Sequence, residues 1–191
     1  MKLMANLLKV SLLMLTCLSI GTVSAYPGMQ KQAEGESQTN VGLISVLPQP
    51  FPIAVVPFKN EQGEAVDFSQ HKGKIIMVNM WATWCPPCVR ELPAVSRLSE
   101  KFDKQEFVVL PISIDLEGKA KVAPFLKELG MDTFNSYYDE TQNLREVFPL
   151  DTIPATFILN RDGELIAFVR TFVDWDDKQA TELIQGFIDK Q

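Results

Sequence analysis

The residues best suited to chemistry in this chain are two cysteines, Cys85 and Cys88, separated by two prolines in the stretch WATWCPPC. Such a pair can bind a metal ion, form a structural disulfide or take part in thiol–disulfide exchange. Structural zinc needs four ligands, and beyond residue 25 the chain has only these two cysteines and one histidine, His71. A disulfide that closes so short a loop would stabilise the fold little. The residue types therefore favour redox chemistry, and we expect no metal and no cofactor.

The segments on either side of the pair predict where the two thiols lie. KIIMVNMWA, at 74–82, is apolar on both faces, which predicts a buried central strand. Apolar residues at helical spacing follow from Pro86 to Phe102. Cys85 would then lie at a helix N-terminus, which favours the thiolate over the thiol. Cys88, one turn further on, could attack a mixed disulfide formed at Cys85, so the pair would supply a nucleophile and a resolving thiol.

The rest of the pattern predicts an α/β domain with a mixed sheet. A hairpin with a turn at Gly63 precedes the central strand, and a second buried strand follows the helix. Then come an amphipathic helix that ends at Gly130, a short strand and a short helix. A hairpin at 155–170 and a last amphipathic helix at 177–190 complete the chain. Alternating strands and helices followed by an antiparallel pair predict helices on both faces of the sheet.

Three motifs resemble the thioredoxin-like family, in particular its exported TlpA, ResA and CcmG type. These are WATWCPPC, the ELP that follows it and the distant TIPATF; VDWDDKQATELI is similar to the last helix of the same group. The resemblance covers about residues 50–190. It implies a thioredoxin-like fold, with a mixed central sheet flanked by helices, an added N-terminal β-hairpin and a central αβ insertion.

The resemblance also implies roles for individual residues. Cys85 would be the exposed nucleophile and Cys88 the buried resolving thiol, and together they would form a redox-active disulfide. Pro154 would be a cis-proline facing the pair, and Ile153 would offer its backbone to an extended substrate. Trp84 would shield one side of the disulfide. The expected substrate-binding set is Trp84, Pro86, Ile153 and Pro154.

Two further positions concern proton transfer. Thioredoxin has a buried aspartate six residues before its first cysteine, whereas this chain has Asn79 there, which cannot take up a proton. The ResA-like group has a glutamate three residues after its second cysteine, and Glu91 matches it. Glu91 would be catalytic by exchanging a proton with Cys88 if burial raises its pKa. A surface glutamate on a helix is the alternative.

The dipeptide between the cysteines indicates the direction of electron flow. Strong oxidants have a very acidic nucleophilic thiol, with a pKa of about 3.5 in one case against about 7 for thioredoxin. Such acidity needs hydrogen-bond donors or positive charge, and Pro86 and Pro87 offer neither. We therefore expect a reductant of disulfides in client proteins. The resemblance implies that a membrane electron donor would reduce it again.

The N-terminal segments predict export. Residues 1–25 have two lysines, an apolar stretch and a small-residue cleavage site after Ala25, as in a secretory signal peptide. We expect a periplasmic protein, with an uncleaved membrane anchor as the alternative. Residues 26–49 are rich in Gly, Gln, Ser and Pro, which predicts a flexible tether before a domain at 50–191. Within it, VGLISVL at 41–47 has two alternatives, an added strand or a lead-in to the domain. The net charge of −6 argues against a nucleic-acid partner, and we expect a monomer.

Several alternatives stay open at this point. The protein could be a disulfide oxidant or isomerase, or a metallochaperone-like protein that holds Cu(I) with its two thiolates and a nearby Met77 or Met80. A peroxidase is disfavoured, because both cysteines lie in one motif rather than far apart. The client could be apocytochrome c, a copper-site protein or any periplasmic thiol protein.

Overall fold

The computed structural model describes residues 40–190, so the predicted signal peptide (1–25) and residues 26–39 of the predicted tether lie outside the described residues. The strands are β1 (Ser45–Phe51), β2 (Phe58–Lys59), β3 (Ala65–Val66), β4 (Ile75–Trp81), β5 (Phe107–Ser113), β6 (Tyr137–Tyr138), β7 (Ala155–Leu159) and β8 (Leu165–Val169). The helices are α1 (Pro86–Glu100), α2 (Lys119–Glu128) and α3 (Lys178–Asp189). Short 3₁₀ turns cover Asn40–Leu43, Phe68–His71 and Asn143–Glu146.

All eight strands form one mixed sheet, in the order β1-β8-β7-β4-β5-β6-β2-β3. Strand β4 lies in the middle, parallel to β5 and antiparallel to β7. The predicted N-terminal hairpin is β2–β3 at one edge, and the predicted αβ unit after the second buried strand is α2 and β6. The thioredoxin-like fold expected from the sequence is confirmed.

Every residue of β4 is buried, because helices cover both faces of the sheet. Successive residues of a strand point to opposite faces. Ile76 and Val78 belong to the core that also contains Leu126 of α2. Met77 belongs to the other core, with Val95 of α1 and residues of α3. The central strand is thus held on both sides, and its carboxyl end, where the site begins, has a rigid support.

The predicted tether was wrong for residues 40–49, and the alternative of an added strand is the one present, since Ser45–Phe51 is an edge strand that pairs antiparallel with β8. Asn40 also contacts the domain, since its Nδ2 donates to the Phe172 carbonyl at 2.9 Å. The strand sequence SVLPQPF contains two prolines and is largely exposed. Proline is tolerated at a sheet edge, where one side of the backbone needs no partner. An exposed edge strand therefore lacks the apolar alternation by which a strand is recognised in sequence.

Within residues 40–190, no helix is both long enough and apolar enough to cross a membrane.

Candidate active site

Cys85 and Cys88 form a disulfide at the start of α1, with their Cα atoms 5.3 Å apart. Cys85 is the N-cap of the helix, and its sulfur accepts a hydrogen bond from the Cys88 backbone N–H at 3.3 Å. The two preceding helical residues are Pro86 and Pro87, which have no N–H. The local sequence thus leaves a single first-turn amide, that of Cys88, to contact the Cys85 sulfur.

The expected exposure of Cys85 needs a correction. Its relative exposure is 5% and that of Cys88 is 1%, so both cysteines are buried in the disulfide form. Cys85 is covered because its sulfur is bonded to the fully buried Cys88 and is turned toward the helix N-terminus. The order of exposure is the expected one, since Cys85 is the more exposed residue of the two.

The loop before Cys85 is held by Asp115, a residue that none of the sequence motifs indicated. Its carboxylate accepts hydrogen bonds from the N–H of Thr83 at 2.8 Å and the Thr83 hydroxyl at 2.7 Å. Ser113 and Lys121 also contact this buried carboxylate. Burial raises the pKa of Asp115, but the hydrogen bonds from Thr83, Lys121 and Ser113 outweigh it and hold the pKa below its usual value. The signal was present in the sequence, since Asp115 follows β5, whose carboxyl end lies beside that of β4.

The Ile153–Pro154 peptide bond is cis, and it directly precedes β7. The first residue of that strand, Ala155, pairs with Met80 near the carboxyl end of β4. The structure therefore brings the TIPATF motif to the same end of the sheet as the cysteine pair.

A shallow pocket of about 260 Å³ lies between the two motifs. Trp84 and Ile153, both predicted to bind substrate, line it together. Trp84 is 58% exposed, an unusual position for a large aromatic side chain without a partner to cover it. Pro86, two residues after Trp84, is exposed and Pro154 is buried, and neither of them lines this pocket. The remaining lining residues are Ile114, Arg145, Leu150, Asp151 and Thr152.

Glu91 is a buried residue, with 1% relative exposure, and not a surface glutamate. Its Oε1 accepts a hydrogen bond from the indole Nε1 of Trp175, and no hydrogen-bond partner of its Oε2 is present among the described residues. Burial raises the pKa of Glu91 to about 8, while the contacts with Trp175 and the Val173 backbone act in the opposite direction. The proton-exchange role expected for Glu91 required a pKa raised by burial, and the structure meets this requirement.

Asn79 is also buried, as expected for the position that an aspartate occupies in thioredoxin. Its Nδ2 donates to the Thr156 hydroxyl at 3.1 Å across the β4–β7 pair. Its Oδ1 has no partner among the described residues, a property that it shares with Glu91 Oε2. The buried group able to titrate near Cys88 in sequence is thus the carboxyl of Glu91.

No group of three or more His, Cys, Asp or Glu side chains within residues 40–190 is placed to hold a metal ion.

Comparison with known proteins decides the family. Residues 48–168 match the model of the AhpC/TSA family, which is more than half of the chain. The chain belongs to the AhpC/TSA family. Its resemblance to the thioredoxin-like TlpA, ResA and CcmG type is confirmed as well.

The chain is also similar to individual proteins. Over 111 residues the chain is 27% identical to the thiol-disulfide oxidoreductase ResA of Bacillus subtilis, a match that covers 58% of this chain and 61% of that relative. The solved structure of StoA from Bacillus subtilis is 25% identical, with a TM-score of 0.58 over 70% of this chain and 98% of that one. A secreted thiol-disulfide isomerase from Corynebacterium glutamicum shares the fold at 19% identity, with a TM-score of 0.66 over 78% and 93% of the two chains.

Proposed function

We propose that this chain is an exported thiol–disulfide oxidoreductase that reduces disulfides in client proteins through Cys85 and Cys88. The observation that carries the proposal is the Cys85–Cys88 disulfide at a helix N-terminus, beside a pocket lined by Trp84 and Ile153. Family relatives named as thiol-disulfide oxidoreductases support it.

The proposed reaction begins with the dithiol form. The Cys85 thiolate attacks one sulfur of a client disulfide, so that a Cys85–client bond forms and the other client sulfur leaves as a thiolate. The client segment would lie in the pocket beside Trp84 and pair with the backbone of Ile153.

Cys88 then resolves the mixed disulfide. Its thiol proton passes to Glu91, its sulfur bonds to that of Cys85, and the second client sulfur leaves with the electron pair. Glu91 is three residues after Cys88 on α1, a spacing at which side chains are neighbours on a helix. A carboxyl with a pKa of about 8 is suited to exchange protons with a thiol near neutral pH. The client gains two electrons, and the protein ends as the disulfide.

The surroundings of Cys85 favour the direction of reduction. A strong oxidant needs several contacts that stabilise the thiolate. Here the Cys88 N–H is the first-turn amide in contact with the Cys85 sulfur. Arg90 is the cation nearest to Cys85 in sequence. Its guanidinium lies 5.0 Å from the centre of the Phe172 ring, so its charge is engaged in a cation–π contact with that ring. We expect a moderately acidic Cys85 thiol and hence a reducing protein.

The finer parts of the proposal concern cellular context. The protein would act as a monomer in the periplasm, on clients in cytochrome c maturation, copper-site assembly or general thiol homeostasis. It would be reduced again by a membrane electron donor.

Two measurements test the proposal. The first is the reduction potential against glutathione together with insulin reduction by the dithiol form. A potential near about −120 mV, that of a strong oxidant, or no insulin reduction would contradict it.

The second is trapping with the variant Cys88→Ser, which should hold clients at Cys85 as mixed disulfides that mass spectrometry can identify. The matched variant Cys85→Ser should trap none, and equal trapping by both variants would contradict the assigned roles.

A further inference from the structure

We propose that Trp175 is a positioning residue: it holds the Glu91 carboxyl by one oxygen, Oε1, and leaves Oε2 to exchange a proton with Cys88. The inference rests on the proposed function and extends it, because it assigns part of the reaction to a residue far from the cysteine motif. The two side chains are 84 positions apart in the sequence.

The contact between the two side chains has one chemical direction. An indole N–H is a donor without acceptor capacity, so Trp175 Nε1 donates to Glu91 Oε1. Both residues are almost wholly removed from solvent. A carboxylate buried without a donor is costly, and a hydrogen bond to its charged form offsets part of that cost. Trp175 therefore stabilises the ionised form of Glu91, the form that can accept a proton from Cys88.

The position of the indole is rigid. Val173 and Trp175 are fully buried in the core formed with Val95 of α1 and Ile184 of α3. A large side chain packed at this density has no free rotamer. The indole N–H therefore has a fixed position, and the Glu91 carboxyl keeps its hydrogen bond to it only while it faces Trp175.

A second contact ties the same segment to α1. Asp176, the next residue, accepts from Arg97 Nε at 2.9 Å and from the Arg97 terminal nitrogen at 2.5 Å. This paired geometry orients both groups. Trp175 and Asp176 therefore contact α1 at two points, Glu91 and Arg97.

The second oxygen of the Glu91 carboxyl is available for proton exchange. Glu91 Oε2 is buried, and no hydrogen bond of ordinary geometry reaches it from the described residues, although the Val173 backbone lies close enough to lower the pKa of the carboxyl. Buried polar atoms without partners are uncommon in proteins, and each calls for an explanation. When Cys88 attacks the mixed disulfide, its S–H bond breaks and an O–H bond forms on Glu91. With Oε1 occupied by the indole, Oε2 is the oxygen left to accept that proton.

The test replaces the indole N–H and follows the resolving step. Trp175→Phe keeps an apolar ring but removes the donor, so the ionised form of Glu91 loses a contact and its pKa should rise. Hydrogen bonds to charged groups are strong enough to move a pKa by about one unit or more. We expect the pH midpoint for resolution of a Cys85 mixed disulfide to rise by about one pH unit. The first attack by Cys85 should keep its pH dependence.

A matched control is available in Trp81→Phe. Trp81 is fully buried too, and its Nε1 donates to the Ser136 hydroxyl at 3.2 Å. This variant loses a buried indole N–H without touching Glu91, so it should lower stability and leave the pH midpoint unchanged. If Trp175→Phe fails to fold, tryptophan's benzothiophene analogue, whose sulfur replaces the N–H at nearly the same shape, makes the same test.

A readout without activity separates this inference from the proposed function. NMR titration of the Glu91 carboxyl in the disulfide form should give a higher pKa in Trp175→Phe than in the unchanged protein and in Trp81→Phe. Equal pKa values in all three would overturn the role of Trp175, whatever the activity. If the unchanged protein reduces no disulfide while the pKa shift is present, the proposed function fails and the Trp175–Glu91 coupling stands.

Discussion

The Asp115 carboxylate accepts hydrogen bonds from both the backbone N–H and the hydroxyl of Thr83, two residues before Cys85. It therefore joins the carboxyl end of β5 to the loop that carries the nucleophile. Because the carboxylate is buried, replacing it should affect both the stability of the protein and the geometry of this loop.

Asp115→Asn should lower the free energy of unfolding by about 2–3 kcal/mol, since it removes the charge that Thr83 and Lys121 contact. The folded pKa of Asp115 is depressed, so its contribution is present above the unfolded pKa, about 3.9, and is lost as pH falls through the folded value. Chemical denaturation at several pH values should show that the unchanged protein and Asp115→Asn differ less in free energy of unfolding at pH 2 than at pH 7. Asp162→Asn, at an exposed turn, is the control, and an equal loss there would contradict the role of Asp115.

Glu91→Gln tests the raised pKa through stability alone. The folded pKa is about 8 and the ordinary value is 4.5, so the folded state keeps a proton that the unfolded chain releases between these values. The free energy of unfolding should therefore fall as pH rises through this window, by roughly 1.4 kcal/mol per pH unit from this group. In Glu91→Gln this slope should be absent. The exposed Glu117→Gln should keep it, and a slope unchanged in Glu91→Gln would show that the carboxyl has an ordinary pKa.

Pro87→His should make the protein more oxidising. The change adds a backbone N–H and a group that can carry positive charge within the first turn of α1, where both favour the Cys85 thiolate. We expect a lower Cys85 pKa, measured by thiolate absorbance, and a potential less negative by on the order of 30 mV or more. Pro93→Ala, in the same helix beyond the pair, should leave the potential unchanged. Equal shifts in both variants would mean that helix stability, and not the thiolate, sets the potential.

A pair of shortened chains tests the domain boundary. A chain that starts at residue 40 keeps β1 paired with β8, whereas one that starts at residue 52 exposes the edge of β8. We expect the shorter chain to be less stable by about 2 kcal/mol in urea unfolding, from lost strand pairing. Equal stability of the two chains would show that β1 contributes nothing to the domain.

The sequence by itself determined the elements around the cysteine pair. The apolar run of β4, the helical spacing after Pro86 and the two prolines are local patterns, and local patterns predict local structure. The strand at β4, the helix α1 and the position of Cys85 at its N-terminus were all predicted and are present. The hairpin β7–β8 was found for the same reason, since its turn residues lie between two alternating strands.

Only the tertiary structure decided the environment of Glu91. Spacing on α1 placed it one turn after Cys88, but burial depends on what packs against the helix, and that is a segment 84 residues away. The contact of Asp115 with Thr83 also depends on distant residues, because it joins the ends of two strands. Strand β1 is a third case, since its exposed sequence forms a strand by pairing with β8. Local periodicity carries no information about such distant partners, because they are chosen by the packing of the whole sheet.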